Sequence, residues 1–223
     1  EPGPRLQDLH TAVLRREHAL DLDGGAPPRP VAPAPAAPRS PVPAQLPPRA
    51  GHFTGRGREM AVLDRLPDGE AQVGVVCGPA GMGKTALAVQ WAHAAAAHFP
   101  DGLLFLDLRG HDPNAALSTG DALAQLLSGL GVPAAQVPPN LTAQVGLYRS
   151  TLNGRRVLVV LDNAASTDQI APLIPPWTTS LLLVTSRNRL TGLAVDHAVT
   201  TVDIEVLPVD DALVLLGRIL GAD

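Results

Sequence analysis

From residue 51 onward, short apolar runs alternate with segments whose apolar residues recur at helical spacing. Val73-Gly74-Val75-Val76-Cys77 is the first run, and Ala86-Leu87-Ala88-Val89-Gln90-Trp91 after it reads as helix. Gly102 to Leu108 gives a second strand. Asp121 to Leu130 and Leu141 to Leu152 carry the helical period, with the breaker Val137-Pro138-Pro139 between them. Arg156 to Asn163 predicts a third strand, continuously hydrophobic as a strand covered on both faces should be. Leu181 to Arg187 gives a fourth and Thr200 to Val206 a fifth, followed by a helix over Asp210 to Leu220. Upstream, Phe53-Thr54-Gly55-Arg56-Gly57-Arg58-Glu59-Met60 leads into a helix through Val62, Leu63 and Leu66. Strands in alternation with helices predict an α/β fold, an open parallel sheet of about five strands with helices on both faces.

The pattern differs before residue 51. Leu6, Leu9, Val13 and Leu20 make one amphipathic helix over 1–22, with nothing local to pack on, which reads as the last helix of a preceding domain. Residues 23–50 read as a linker: ten of the 27 residues from Gly24 to Ala50 are proline, and the only charges are Arg29, Arg39 and Arg49. Such a segment favours an extended polyproline spacer, with a ligand for a proline-recognition domain as the alternative.

Between the first strand and its helix lies Gly78-Pro79-Ala80-Gly81-Met82-Gly83-Lys84-Thr85, the pattern Gly-x-x-x-x-Gly-Lys-Thr. Strand, glycine loop and helix in that order are the context a phosphate-binding P-loop requires. The glycines let backbone N–H groups turn inward around a polyphosphate, and the helix start at Ala86 adds partial positive charge. Lys84 would reach the β- and γ-phosphates, and the Thr85 hydroxyl would take one position on Mg²⁺. Composition sharpens the point: of 17 basic residues, Lys84 is the single lysine. A chain that otherwise uses arginine throughout keeps a compact ammonium where a phosphate loop needs one.

Leu158 to Asp162 is four apolar residues and an acid, the form of a Walker B strand. Ligands of an open parallel sheet sit beyond the carboxyl ends of its strands, so Asp162 is positioned to hold Mg²⁺ opposite Thr85. Arg187, closing the fourth strand, is a candidate reader of the γ-phosphate through charge-assisted hydrogen bonds. The seven histidines, His111 among them, show no metal-ligand spacing and are assigned surface or local structural roles. Cys77 stands alone, which excludes a disulfide framework and a cysteine metal site; it reads as a small buried hydrophobe.

The totals narrow the class. Hydrophobic content of 45% suffices for a core that Leu, Val and Ala must fill, since aromatics are 3%. A net charge of −4 gives no footprint for nucleic acid, and no apolar run or leader points to a membrane. The expectation is a cytoplasmic protein.

Phe53-Thr54-Gly55-Arg56, the P-loop, Leu158 to Asn163 and Thr185-Ser186-Arg187 fall in the order seen in NB-ARC ATPases of the STAND class, which the chain resembles over most of 51–220. Glu1-Pro2-Gly3-Pro4 with Leu9-His10 resembles the end of a bacterial transcriptional activation domain. The Pro-rich linker, Phe99-Pro100-Asp101-Gly102, Leu108-Arg109-Gly110-His111-Asp112 and Leu161-Asp162-Asn163-Ala164-Ala165 resemble AfsR-like, SARP-type regulators. The resemblance implies a P-loop NTPase that binds ATP or ADP with Mg²⁺ as a switch inside a transcriptional activator of secondary metabolism. By it, Phe53, Gly55 and Arg56 would take the adenine and ribose side. Gly57 stands where that family usually has a glutamate, and Asn163 where many members carry a second acid. An amide cannot act as a general base, so hydrolysis is expected to be slow at most. The family's following helical and winged-helix modules have no counterpart here, nor has its DNA-binding domain. Residues 51–223 are therefore expected to be the nucleotide-binding core of a larger regulator, contacting its other domains and, through the whole protein, the transcription machinery. Two other classes stay open: a turnover ATPase or small-molecule kinase, and a non-hydrolysing interaction domain with a vestigial site.

Overall fold

The computed structural model describes residues 42–112, 114–176 and 179–221. The helix expected over 1–22 and most of the linker lie outside them. Five parallel strands, β1 (Val73–Cys77), β2 (Gly102–Asp107), β3 (Val157–Ala164), β4 (Leu181–Ser186) and β5 (Val199–Asp203), form one sheet in the order β2-β3-β4-β1-β5. Helices α1 (Gly57–Leu63), α2 (Lys84–Ala94), α3 (Thr119–Gly129), α4 (Leu141–Leu152), α5 (Thr167–Ile170) and α6 (Val209–Leu220) connect or follow them. The expected α/β architecture is the one observed.

Alternation along β3 shows why the sheet needs cover on both sides. Val157, Val159 and Leu161 face a core built with Leu123, Leu126 and Leu127 of α3 and Tyr148 and Leu152 of α4. Leu158 and Val160 face a second core with Leu63 of α1 and Leu87, Ala88 and Trp91 of α2. Every one of these side chains is buried. Caps fix where helices begin: the Ser118 hydroxyl accepts from the Asp121 N–H at 3.1 Å, and Asn140 Oδ1 from the Ala143 N–H at 2.8 Å. Trp91 Nε1 donates to Asp64 at 3.1 Å, which ties α2 to the end of α1.

Most boundaries shift by one or two residues, α1 ends at Leu63 rather than reaching Leu66, and two differences bear on the site. β5 ends at Asp203 rather than Val206; its last bond to β1 is the Ile204 N–H on the Cys77 carbonyl at 2.7 Å, where β1 itself ends. The linker reading ran to residue 50, yet Ala44 already bridges Leu103 in parallel, with Leu103 N–H on the Pro43 carbonyl and Gln45 N–H on the Leu103 carbonyl, both 2.8 Å. His93 Nε2 lies 2.8 Å from the Pro47 carbonyl. These residues cover the free edge of β2, which proline can do because an edge position leaves its missing N–H unneeded.

Gly102 makes that seating possible. Its φ is +144°, and an added Cβ would lie 2.4 Å from Pro43 Cγ. Gly102→Ala is expected to lower stability by roughly 1–3 kcal/mol and to expose residues 42–47 to protease. Urea denaturation and limited proteolysis check this; an unchanged midpoint with an uncleaved strap contradicts it.

Candidate nucleotide site

Strand order decides which chemistry meets. β4 lies between β1 and β3, so the carboxyl ends of three adjacent strands bring Gly78, Arg187 and Asp162-Asn163 to one edge of the sheet. Runs of apolar residues could not reveal this order, because β1, β3 and β4 read alike.

The loop after β1 leaves the sheet through Gly78 at φ +151°, where a Cβ would lie 2.6 Å from the Ile204 carbonyl. Gly81 and Gly83 also take positive φ, and Pro79, Ala80, Gly81 and Gly83 are exposed. Met82 and Ala86 are half-buried. Gly83 caps α2 with no side-chain hydrogen bond, so the first N–H groups of that helix remain available to an anion. Lys84 Nζ donates to the carbonyls of Gly78 at 2.9 Å and Pro79 at 2.7 Å. An ammonium has three donors, so one is left for a ligand. Burial, then the Arg187 charge, push this ammonium below the usual lysine range.

Asp162 is 4% exposed. Its carboxylate accepts from Thr85 Oγ1 at 2.8 and 3.1 Å, from Thr185 Oγ1, and from Asn163 Nδ2 at 3.0 Å. A buried charge is tolerated only when so satisfied. Thr185 belongs to the strand that separates β1 from β3, so the carboxylate gathers hydroxyls from both sides. Asn163, at φ +55°, also donates to Asp107 Oδ1 at 3.0 Å. Hard oxygens of Thr85 and Asp162 meeting at a phosphate loop fit Mg²⁺. Among the described residues no group of three or more His, Cys, Asp or Glu side chains could hold a metal by itself. An ion here would need phosphate and water oxygens as well.

Arg187 is exposed and shares a cavity of about 260 Å³ with Arg109, His111, Asp112 and Asn163. On the other side of the loop, Gly55 and Arg56 take left-handed φ of +70° and +66°. The Arg56 guanidinium is committed to Glu59 at 2.9 Å and to the Met82 carbonyl at 3.0 Å. It therefore fixes its segment to the P-loop, with its side chain only 7% exposed. A cleft of about 840 Å³ opens between Gly55–Val62 and Thr201–Asp211. Phe53 packs beside this region against the core, and Arg218 of α6 donates to Thr54 Oγ1 at 3.1 Å and the Phe53 carbonyl at 3.3 Å.

Cys77 is buried as expected but not inert in its contacts: Sγ donates to Asp203 Oδ1 at 3.0 Å, and Asp203 pairs with Arg189 at 2.9 Å. Burial first, then that hydrogen bond and the Asp203 charge, push the thiol up to about 12. Sequence reasoning missed Thr185, Asp107 and the place of His111. Only the position of Asp107 at a strand's carboxyl end could have signalled one of them.

Fold and site together define the class, an α/β domain with the P-loop NTPase fold. Solved structures of the same fold include Cdc6p from Pyrobaculum aerophilum (TM-score 0.56, 14% identity, covering 83% of this chain and 51% of that one). The Aeropyrum pernix ORC2 protein, determined in ADPNP–ADP complexes, matches with TM-score 0.51 and 17% identity over 79% of this chain and 54% of that one. No protein-family model matches the chain. In sequence, the chain is homologous along its whole length to the regulatory protein AfsR, 41% identical to that of Streptomyces griseus and 38% to that of Streptomyces coelicolor. It spans 22% of the length of each of these relatives. Among the described residues no helix is long and apolar enough to cross a membrane.

Thr185→Val keeps side-chain volume but strips one donor from the buried Asp162 carboxylate. A loss of roughly 1.5–3 kcal/mol is expected, read from the urea midpoint of the apo protein. Stability equal to wild type contradicts the assigned contact.

Proposed function

We propose that this domain is an ATP/ADP-binding, Mg²⁺-dependent switch of the NB-ARC type within a bacterial transcriptional regulator, with slow hydrolysis at most. The observation that carries the reading is the meeting of the Thr85 hydroxyl and the Asp162 carboxylate, 2.8 Å apart, beside a glycine loop with Lys84 at its end. Homology to AfsR supports the regulatory setting, and the ATPase fold supports the nucleotide.

Each residue has a part in that reading. Loop amides from Ala80 to Thr85 surround the phosphates, with Pro79 shaping the loop, and Lys84 exchanges carbonyl contacts for phosphate oxygens. Thr85 and Asp162 would hold Mg²⁺, which would supply charge neutralisation to the bound phosphates. Phe53, Gly55 and Arg56 form the wall nearest the base, Arg56 by bracing the loop. Arg187 reads the terminal phosphate. Asn163 donates both its amide contacts to carboxylates and has no lone pair basic enough to take a proton from water. Slow hydrolysis suits a switch, whose task is to bias the arrangement of neighbouring domains by differential affinity. The domain division, a preceding helix, a Pro-rich spacer and then the nucleotide core, belongs to this proposal, with the core taking in the end of the spacer from Pro43.

Calorimetry tests it. Wild-type protein is expected to bind ATP and ADP, with Lys84→Ala at least about tenfold weaker for both and Asp162→Asn insensitive to Mg²⁺. Unchanged binding in Lys84→Ala removes the site. Steady phosphate release in the range of about 1–100 per second favours the turnover-enzyme reading instead.

A further inference from the structure

The cavity beyond Asn163 contains groups that the switch reading leaves unused. Its lining is Arg109, His111, Asp112, Asn163 and Arg187, within about 260 Å³. His111 as a whole is half-buried, while its Nε2 is buried and has no hydrogen-bond partner among the described residues. A buried ring nitrogen without a partner is costly and usually marks a place where something else bonds. Burial first, then the Arg187 and Lys84 charges, hold the imidazole below the ordinary histidine range, opposed by a backbone hydrogen bond at Ala164. Arg109 and Arg187 bring positive charge to the cavity, and Asn163 in its lining follows Asp162, which accepts from Thr85 of the P-loop.

The backbone shows how His111 is held there. Arg109 has φ +47°, with its N–H on Asp107 Oδ1 at 2.9 Å. Gly110 donates to the Asn163 carbonyl at 2.8 Å, and an added Cβ would lie 2.6 Å from the Ala165 nitrogen. Leu108 N–H reaches the Asp162 carbonyl at 2.9 Å. The loop from β2 is thus laid directly on the end of the Asp162 strand, with a non-glycine residue kept in left-handed conformation to do so. The one acid in the lining, Asp112, is exposed and accepts from the Asn114 N–H at 2.9 Å.

We propose that Arg109, His111 and Arg187 form the seat of the ATP terminal phosphoryl group, and that His111 sets the preference of this domain for ATP over ADP. The proposal rests on the nucleotide reading above. With the imidazole proton on Nε2, two guanidinium groups and a ring N–H around one small cavity match a tetrahedral dianion, and ADP has no group to reach them. Because Gly110 and Asn163 are bonded through the backbone, the same contact would report the γ-phosphate to the β2 loop.

The test measures ATP and ADP binding in Mg²⁺ by calorimetry on the 223-residue chain. His111→Ala is expected to weaken ATP about tenfold or more and leave ADP within about twofold, a split that general loss of structure would not produce. His111→Gln, which keeps a donor, should recover part of the ATP affinity. Should His111→Ala fail to fold, Arg109→Gln at its exposed position is expected to give the same selective loss. Equal weakening of ATP and ADP, or no change in either, overturns the proposal while the nucleotide site stands. Wild-type protein that binds neither nucleotide overturns both.

Discussion

The buried Asp162 carboxylate is the constraint around which the site is arranged. A charge 4% exposed must be surrounded by donors, and here they come from three directions: Thr85 at the start of α2, Thr185 on β4 and Asn163 beside it. That requirement ties the glycine loop to a strand two places away in the sheet. It also accounts for the insertion of β4, whose Thr185 hydroxyl spans the gap between the P-loop strand and the carboxylate. A phosphate-bound Mg²⁺ entering this arrangement would meet oxygens already aimed at it, with little reorganisation.

Around that centre the chain sorts its cations. Lys84 is held by loop carbonyls, Arg56 by Glu59 and the Met82 carbonyl, and Arg189 by Asp203. Arg187 and Arg109 line the cavity beside His111 instead. Arginines that brace the scaffold are thus distinct from those that face the cavity, although a linear sequence gives both the same letter. α6 presents Leu213, Leu216, Leu220 and Ile219 largely exposed while Arg218 anchors it to the Phe53–Thr54 segment.

Much of this was legible beforehand. Continuous apolar runs mark β1 to β4, because parallel strands between two layers carry hydrophobic residues on both faces, whereas the edge strand β5 mixes Thr200, Thr201 and Asp203 with Val202. Gly-x-x-x-x-Gly-Lys-Thr announced the loop, since positive φ and close backbone approach leave glycine little competition at Gly78, Gly81 and Gly83. Order in the sheet was not legible: Leu181–Ser186 reads like Val157–Leu161, and nothing local says which sits beside β1. Arg56 was read toward the base, but its guanidinium turned out to brace the loop, a tertiary contact 26 residues away in sequence. The strap at Pro43 to Pro47 was hidden by proline-rich composition, which says spacer whether or not a sheet edge is near. His111 passed as a surface residue because its burial depends on the fold of β2 onto β3.

The central claim is that an anion is held at the carboxyl ends of β1, β3 and β4. Amide hydrogen exchange with and without Mg²⁺–ATP tests it most directly. The account predicts protection concentrated in Gly81–Ala86, Leu108–His111 and Thr185–Arg187. Exchange unchanged in those segments at saturating nucleotide, or protection confined to the opposite end of the sheet around Leu66, Gln72 and Leu181, would contradict it.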